Sequence, residues 1–173
     1  MRRQAFTLAE LTVVLTIIAV VAAAVTLRIQ GPLGRARQRD VVESIGAFDH
    51  TTRVAAREQD RPLRLVIDAE AGELRRADGD GRLLESGRLR LPDGFRFERL
   101  LLRGADADAG FAGVSMVPCS RHGLTPSYAL LLDCGGVRRW LLVAGLTGTV
   151  VEVADEDEAR QTLAVTGLRG DAR

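Results

Sequence analysis

The sequence predicts an α+β fold, with one long N-terminal helix packed on an antiparallel β head made of two small sheets. Three observations predict it. Leu11 to Leu27 is an uncharged, strongly apolar run. Helical spacing of apolar residues then continues to Glu58, and from Pro62 the period changes to alternation at every second residue. Clusters of Gly, Pro and Asp punctuate the rest at short intervals, as turns between antiparallel strands do.

The chain has 173 residues and 18.7 kDa, enough for one domain and an appendage. Apolar residues make up 46%, which excludes wholesale disorder, and charged residues 27%, which excludes a polytopic membrane protein. Lys+Arg total 24 against 23 Asp+Glu, and all 24 cations are Arg. The near-neutral balance gives no global reason to expect a nucleic-acid binder. The lack of Lys excludes Schiff-base and P-loop chemistry. Two Cys and two His are too few for a structural zinc site of the usual kind. No cofactor, metal or catalytic group is expected.

The first element is the apolar run. As a helix, its 17 residues span about 25 Å, near the short end of what crosses a bilayer core, and Phe6 to Ala9 lengthen it. A cleaved secretory signal would be shorter and followed by a small-residue cleavage site. A plain anchor would not carry Glu10 inside its apolar envelope, because a carboxylate in lipid is expensive. The segments beyond residue 30 read as a soluble amphipathic helix (31–60), the β head (61–165) and a frayed tail (166–173).

Ala5-Phe6-Thr7-Leu8-Ala9-Glu10, leading into a Val/Ile/Ala-rich helix, resembles the N-terminal signal of type IV pilins and type II secretion pseudopilins. The resemblance implies a leader (1–5) ahead of a transmembrane and assembly helix (6–30), that a membrane prepilin peptidase cuts between Ala5 and Phe6, and that Phe6 is N-methylated. Ala5 departs from the family's usual Gly before the cut. Glu10 becomes the fifth residue of the mature chain, and the family's pattern has this carboxylate meet the N-terminal amine of a neighbouring subunit, a reason to keep a charge there. Arg2 and Arg3 precede the apolar run, while Arg28, Arg35, Arg37 and Arg39 follow it. Cation counting would therefore leave the head in the cytoplasm. The family instead places it outside the inner membrane, in the periplasm.

Gly31-Pro32 predicts a kink or a melted turn in the helix. Beyond it, Val41, Val42, Ile45, Phe48, Thr52 and Ala55 fall on one face, with Arg39, Glu43, Asp49, Arg53 and Arg57 on the solvated remainder. Strands are expected from Leu63 to Asp68, over Leu74 to Ala77, as a short strand beginning at Leu83-Leu84, with Leu89 and Leu91 before the next turn, and from Phe95 to Leu102. Their turns fall at Ala71-Gly72-Glu73, Asp78 to Gly81 and Pro92-Asp93-Gly94. Gly104 to Gly110 reads as an acidic loop. Asp78-Gly79-Asp80 and Asp106-Ala107-Asp108 lack the ligand count of a calcium loop.

A strand from Gly113 to Val117 should end at Pro118. Another spans Tyr128 to Cys134, turning at Gly135-Gly136 into Val137 to Ala144, then at Gly145 to Gly148 into Thr149 to Val153. This run is similar in pattern to the head of the minor pseudopilin H group and of minor type IV pilins. Asp155 to Glu158 starts a short helix or solvates the tail.

If Gly113–Val117 and Tyr128–Cys134 formed a simple hairpin, Cys119 and Cys134 would lie roughly 20 Å apart, beyond bridging range. Two thiols are therefore expected rather than a disulfide. His50 and His122 read as surface or packing residues. The implied function is a minor pseudopilin of the type II secretion system, a structural and non-enzymatic subunit in protein export. Its partners would be the prepilin peptidase, other pseudopilins, the inner membrane and the secretion platform. The alternative is a minor type IV pilin for pilus assembly, adhesion or DNA uptake. DNA is not an expected partner: Arg138-Arg139 beside Trp140 is the one compact cationic group in a C-terminal part that is net acidic.

Overall fold

A computed structural model describes residues 8–103 and 113–165. The chain divides into two units, Met1–Asp40 and Val41–Arg173. Helix α1 (Leu8–Glu58) begins in the first and ends in the second. It is continuous through Gly31 and Pro32, with no melted turn. Proline removes one backbone donor, and good helix formers on both sides carry the element past that loss. Residues 104–112, the expected acidic loop, and 166–173, the expected frayed tail, lie outside the described residues.

The second unit holds two four-stranded antiparallel sheets. The first contains β1 (Leu63–Asp68), β2 (Glu73–Asp78), β3 (Leu83–Arg90) and β5 (Val114–Cys119), in the order β3-β2-β1-β5. The second contains β4 (Phe95–Leu102), β6 (Tyr128–Cys134), β7 (Arg138–Val143) and β8 (Val150–Val153), in the order β4-β6-β7-β8. Alternation dictates which side chains turn inward. Leu65, Ile67, Leu74 and Val117 of the first sheet share one core with Phe97, Leu130, Leu132, Leu141 and Val143 of the second, and with Val41, Ile45 and Phe48 of α1.

A second cluster fills the far side of the second sheet. Ala159 and Leu163 of helix α2 (Glu156–Val165) pack there on Leu101, Ala129, Trp140 and Leu142. Asp155 starts α2 by a reciprocal cap: its Oδ1 accepts the Glu158 amide at 2.8 Å, and Glu158 Oε2 accepts the Ala154 amide at 2.7 Å. The Glu156 carboxyl is held below its usual range, first by the hydrogen bond from Arg160.

Three strand expectations are corrected. The strand that begins at Leu83 is longer than expected and runs on to Arg90. β5 runs through Pro118, because it is an edge strand and needs no donor on its outer side. Most importantly, β5 and β6 form no hairpin: β5 pairs with β1, Leu63 opposite Cys119, and β6 pairs with β4. Cys119 and Cys134 therefore belong to different sheets and form no disulfide in this structure. Burial pushes the Cys119 thiol above its ordinary range, which leaves it a packing residue beside Ala56 and Leu63. Gly135 (φ 70°) and Gly136 (φ 93°) do turn the β6–β7 hairpin.

The helical segment 41–58 also differs from expectation. Asp49 and Arg53, read as solvated, are 1% and 4% exposed, and Ala56 rather than Ala55 completes the stripe. Arg53 Nε meets Asp49 Oδ2 at 2.5 Å. Its Nη1 donates to the Gly145 carbonyl at 2.5 Å and its Nη2 to Thr125 Oγ1 at 2.6 Å. The Tyr128 hydroxyl donates to Asp49 Oδ1 at 2.9 Å. Burial, then the Asp49 carboxylate, raises the Tyr128 phenol well above its usual range, so it stays a donor. The network ties α1 to the loops before β6 and after β7. Those loops touch so closely that a Cβ on Gly145 would lie 2.2 Å from the Thr125 carbonyl oxygen.

On the first sheet, Arg76 faces α1, donating to Thr51 Oγ1 at 2.6 Å and Thr52 Oγ1 at 3.0 Å, with its guanidinium 5.2 Å from the Phe48 ring centroid. On the opposite face Glu73 is gripped by Arg75, at 2.7 Å, and by Arg88. Hydrogen bonds from Arg88 and then Arg75 lower its carboxyl from about 4.5 to about 2.

Two outcomes follow for the head. Arg53→Met leaves Asp49 buried without its cation and should destabilise the fold by about 3–5 kcal/mol, whereas Tyr128→Phe should remove about 1–2 kcal/mol. Urea unfolding of the full chain in detergent, followed by Trp140 fluorescence, separates the two; equal small losses would show that the pair does not hold the head. A carboxyl whose pKa falls on folding stabilises above its unfolded value and loses that contribution as pH drops from about 4.5 through about 2. Glu73→Gln should therefore flatten the acid limb of the unfolding midpoint over that window, and an unchanged limb would contradict the pairing.

Candidate functional site

The sequence assigns function to the N-terminal end of α1, and the structure describes that element from Leu8. The processing residues Ala5 and Phe6 lie outside the described residues. Glu10 is exposed in the first turn, where the unbonded amides of a helix start favour a carboxylate. From Leu11 to Val20 every described side chain is exposed, including Leu11, Val13, Val14, Leu15, Ile17, Ile18 and Val20. At about 100° per residue these seven cover about 220° of the circumference, and Thr12, Thr16 and Ala19 occupy the remainder. An exposed apolar face this broad requires an apolar surrounding, lipid or other helices.

The two hydroxyls in the stretch are satisfied within the helix: Thr12 Oγ1 donates to the Ala9 carbonyl at 2.8 Å and Thr16 Oγ1 to the Thr12 carbonyl at 2.8 Å. Neither needs water, so both suit that apolar surrounding. Among the described residues no helix is long and apolar enough to cross a membrane. Side chains 21–33, in the second half of the apolar run, lie outside those described.

Among the described residues no three His, Cys, Asp or Glu side chains are placed to hold a metal ion. Asp78 serves its turn, its Oδ1 accepting the amides of Asp80 at 3.0 Å and Arg82 at 2.8 Å. A cleft of about 400 Å³ between the turns at 69–72 and 90–96 is lined by Glu70, Arg90, Asp93 and Arg96 among small and apolar residues. His50 and His122 are exposed. Arg138 and Arg139, the cationic pair singled out in the sequence, are each answered by a carboxylate, Glu98 at 2.8 Å and Glu152 at 3.5 Å, and Trp140 is buried.

The residues that sequence reasoning missed are Asp49, Arg53 and Tyr128. The signal was present: Ile45, Asp49, Arg53 and Ala56 follow the 4, 4, 3 spacing of one helical stripe.

Comparison with known proteins adds two findings. Residues 1–26 match the family model of the prokaryotic N-terminal methylation motif. Two structures of the minor pseudopilin EpsH from the type II secretion system of Vibrio cholerae resemble the chain. One is 14% identical, covering 70% of this chain and 96% of that one with a TM-score of 0.51. The other is 12% identical, covering 67% and 95% with a TM-score of 0.47. No curated protein matches. The chain is thus pilin-like: it begins with the prokaryotic N-terminal methylation motif and carries the fold of a minor pseudopilin, a helix on two antiparallel sheets.

Proposed function

We propose that the chain is a minor pseudopilin, a structural subunit of a type II secretion pseudopilus that takes part in protein export. The observation that carries the proposal is the meeting, in one chain, of a methylation motif, a helical segment with a broad exposed apolar face, and a head with the fold of a minor pseudopilin. The subunit waits in the inner membrane with its head in the periplasm. A prepilin peptidase removes Met1–Ala5 and the new terminus at Phe6 is methylated. The apolar helix then leaves lipid for the helices of neighbouring subunits, a transfer between two apolar surroundings that requires no large change in hydration.

Glu10 gives the transfer its register. A carboxylate among apolar helices is costly unless a cation answers it, and the freed amine of a neighbouring Phe6 is placed to do so only when the subunits are correctly staggered. The head contributes contacts, not catalysis. The minor type IV pilin reading for DNA uptake loses its one sequence candidate, because Arg138 and Arg139 already have carboxylate partners.

Glu10→Ala should accumulate in the membrane at the wild-type level yet fall by about tenfold in the assembled fraction, the loss that about 1.4 kcal/mol per contact produces. Glu10→Asp should lie between. Cross-linking and fractionation of cells carrying the complete secretion system measure this, and normal incorporation of Glu10→Ala would overturn the register role.

A further inference from the structure

We infer that the outer face of the first sheet is a docking surface for a protein partner that presents carboxylates among apolar side chains. The strand registers place three rows on this face. Pro118, Arg64, Ala77 and Leu83 form one. Met116, Val66, Arg75 and Arg88 form the next, and Val114, Asp68, Glu73 and Arg90 the third. Strand by strand, four arginines thus gather on one surface from positions scattered between 64 and 90 in the sequence, against two acids.

The two sheets are treated differently. The outer face of the second sheet is covered by α2; among the described residues no element covers this one. Its charges are also unequally satisfied. Glu73, 2% exposed, is shared by Arg75 and Arg88, which keeps two cations from opposing each other unbridged across strands. Arg90 has no carboxylate partner among the described residues, and the Arg64 guanidinium meets Met116 Sδ at 3.8 Å. Two guanidiniums at opposite rows are therefore left to be answered from outside, each suited to bidentate pairing with a carboxylate.

The rest of the face selects the class of partner. Leu83, Val114, Met116 and Pro118 are exposed at its rims, and Val66 is buried between the arginine stems. Arginine and methionine over an apolar floor is the composition of a protein interface. Phosphate binding would favour an all-cationic stripe, and Glu73 interrupts this one. Four strands about 4.8 Å apart and three rows about 7 Å apart give a patch of roughly 400 Å². That is half of what a stable interface buries on each side, so the contact is a weak one or one part of a larger one. The inference stands whether or not the N-terminal helix assembles.

The test uses the full chain in detergent and the fluorescence anisotropy of a labelled peptide repeating Glu-Val, at low and high salt, with a labelled DNA duplex beside it. Arg64→Glu with Arg90→Glu should weaken peptide binding by about tenfold or more. Arg138→Glu with Arg139→Glu, the same charge change on the second sheet, should weaken it by less than about threefold. The wild-type affinity should fall with salt. Absence of wild-type binding, equal losses in the two double variants, or tighter binding of the duplex would each overturn the inference. If the first double variant unfolds at lower urea than wild type, Arg90→Gln alone decides: partial loss of binding supports the face, and no loss rejects it.

Discussion

The buried pair of Asp49 and Arg53 is the interaction on which the head depends. Both charges are taken out of water on the inner stripe of a helix, a loss that their mutual attraction offsets only when the remaining donors and acceptors are also answered. Here they are. Tyr128 supplies a donor to Asp49, and the Gly145 carbonyl and the Thr125 hydroxyl accept from Arg53. Every partner lies on a segment distant in sequence, so satisfying one guanidinium fixes how the helix, β6 and two loops meet. Apolar packing of Ile45 or Phe48 against the sheets gives affinity without direction. The charged network supplies the direction.

The same helix thus works under two opposite rules. Over 41–58 the polar side chains it buries, Asp49, Thr52 and Arg53, are each paired, and the inner stripe belongs to a folded core. Over 11–20 its large apolar groups are exposed on a broad face, and an apolar surrounding must be found elsewhere. A chain built this way has one part whose apolar side chains are covered within its own fold and another whose apolar side chains need lipid or other helices to cover them. The sheets repeat that asymmetry on a smaller scale: one outer face is closed by α2, and on the other Arg64 and Arg90, without a carboxylate partner among the described residues, lie beside exposed apolar side chains.

Much of this was legible in the sequence. Alternation with Gly/Pro/Asp turns located the strands closely, and Gly135-Gly136 marked the hairpin because two positive φ values in succession leave few other choices. The methylation motif and the run from Leu11 needed no structure. Other features were hidden for identifiable reasons. Asp49 and Arg53 were read as solvated because charge was weighed above their helical spacing. The partners of β5 could not be found, since alternation reports a strand's faces and not its neighbour; the assumed hairpin with β6 put Cys119 and Cys134 on adjacent strands, whereas they lie in different sheets. Pro118 misled because edge strands tolerate it. The arginine face is a product of register: Arg64, Arg75, Arg88 and Arg90 become neighbours only once β1, β2 and β3 are paired. Gly31-Pro32 promised a break that the helix does not show.

Assembly of the proposed kind requires an N-terminus that is remade before the helix can pack. The intact mass of the protein extracted from membranes of cells with an active prepilin peptidase tests this most directly. A chain that has lost Met1–Ala5 and gained a single methyl group is the expected species; a chain that keeps Met1 and is nevertheless incorporated into fibres would contradict it.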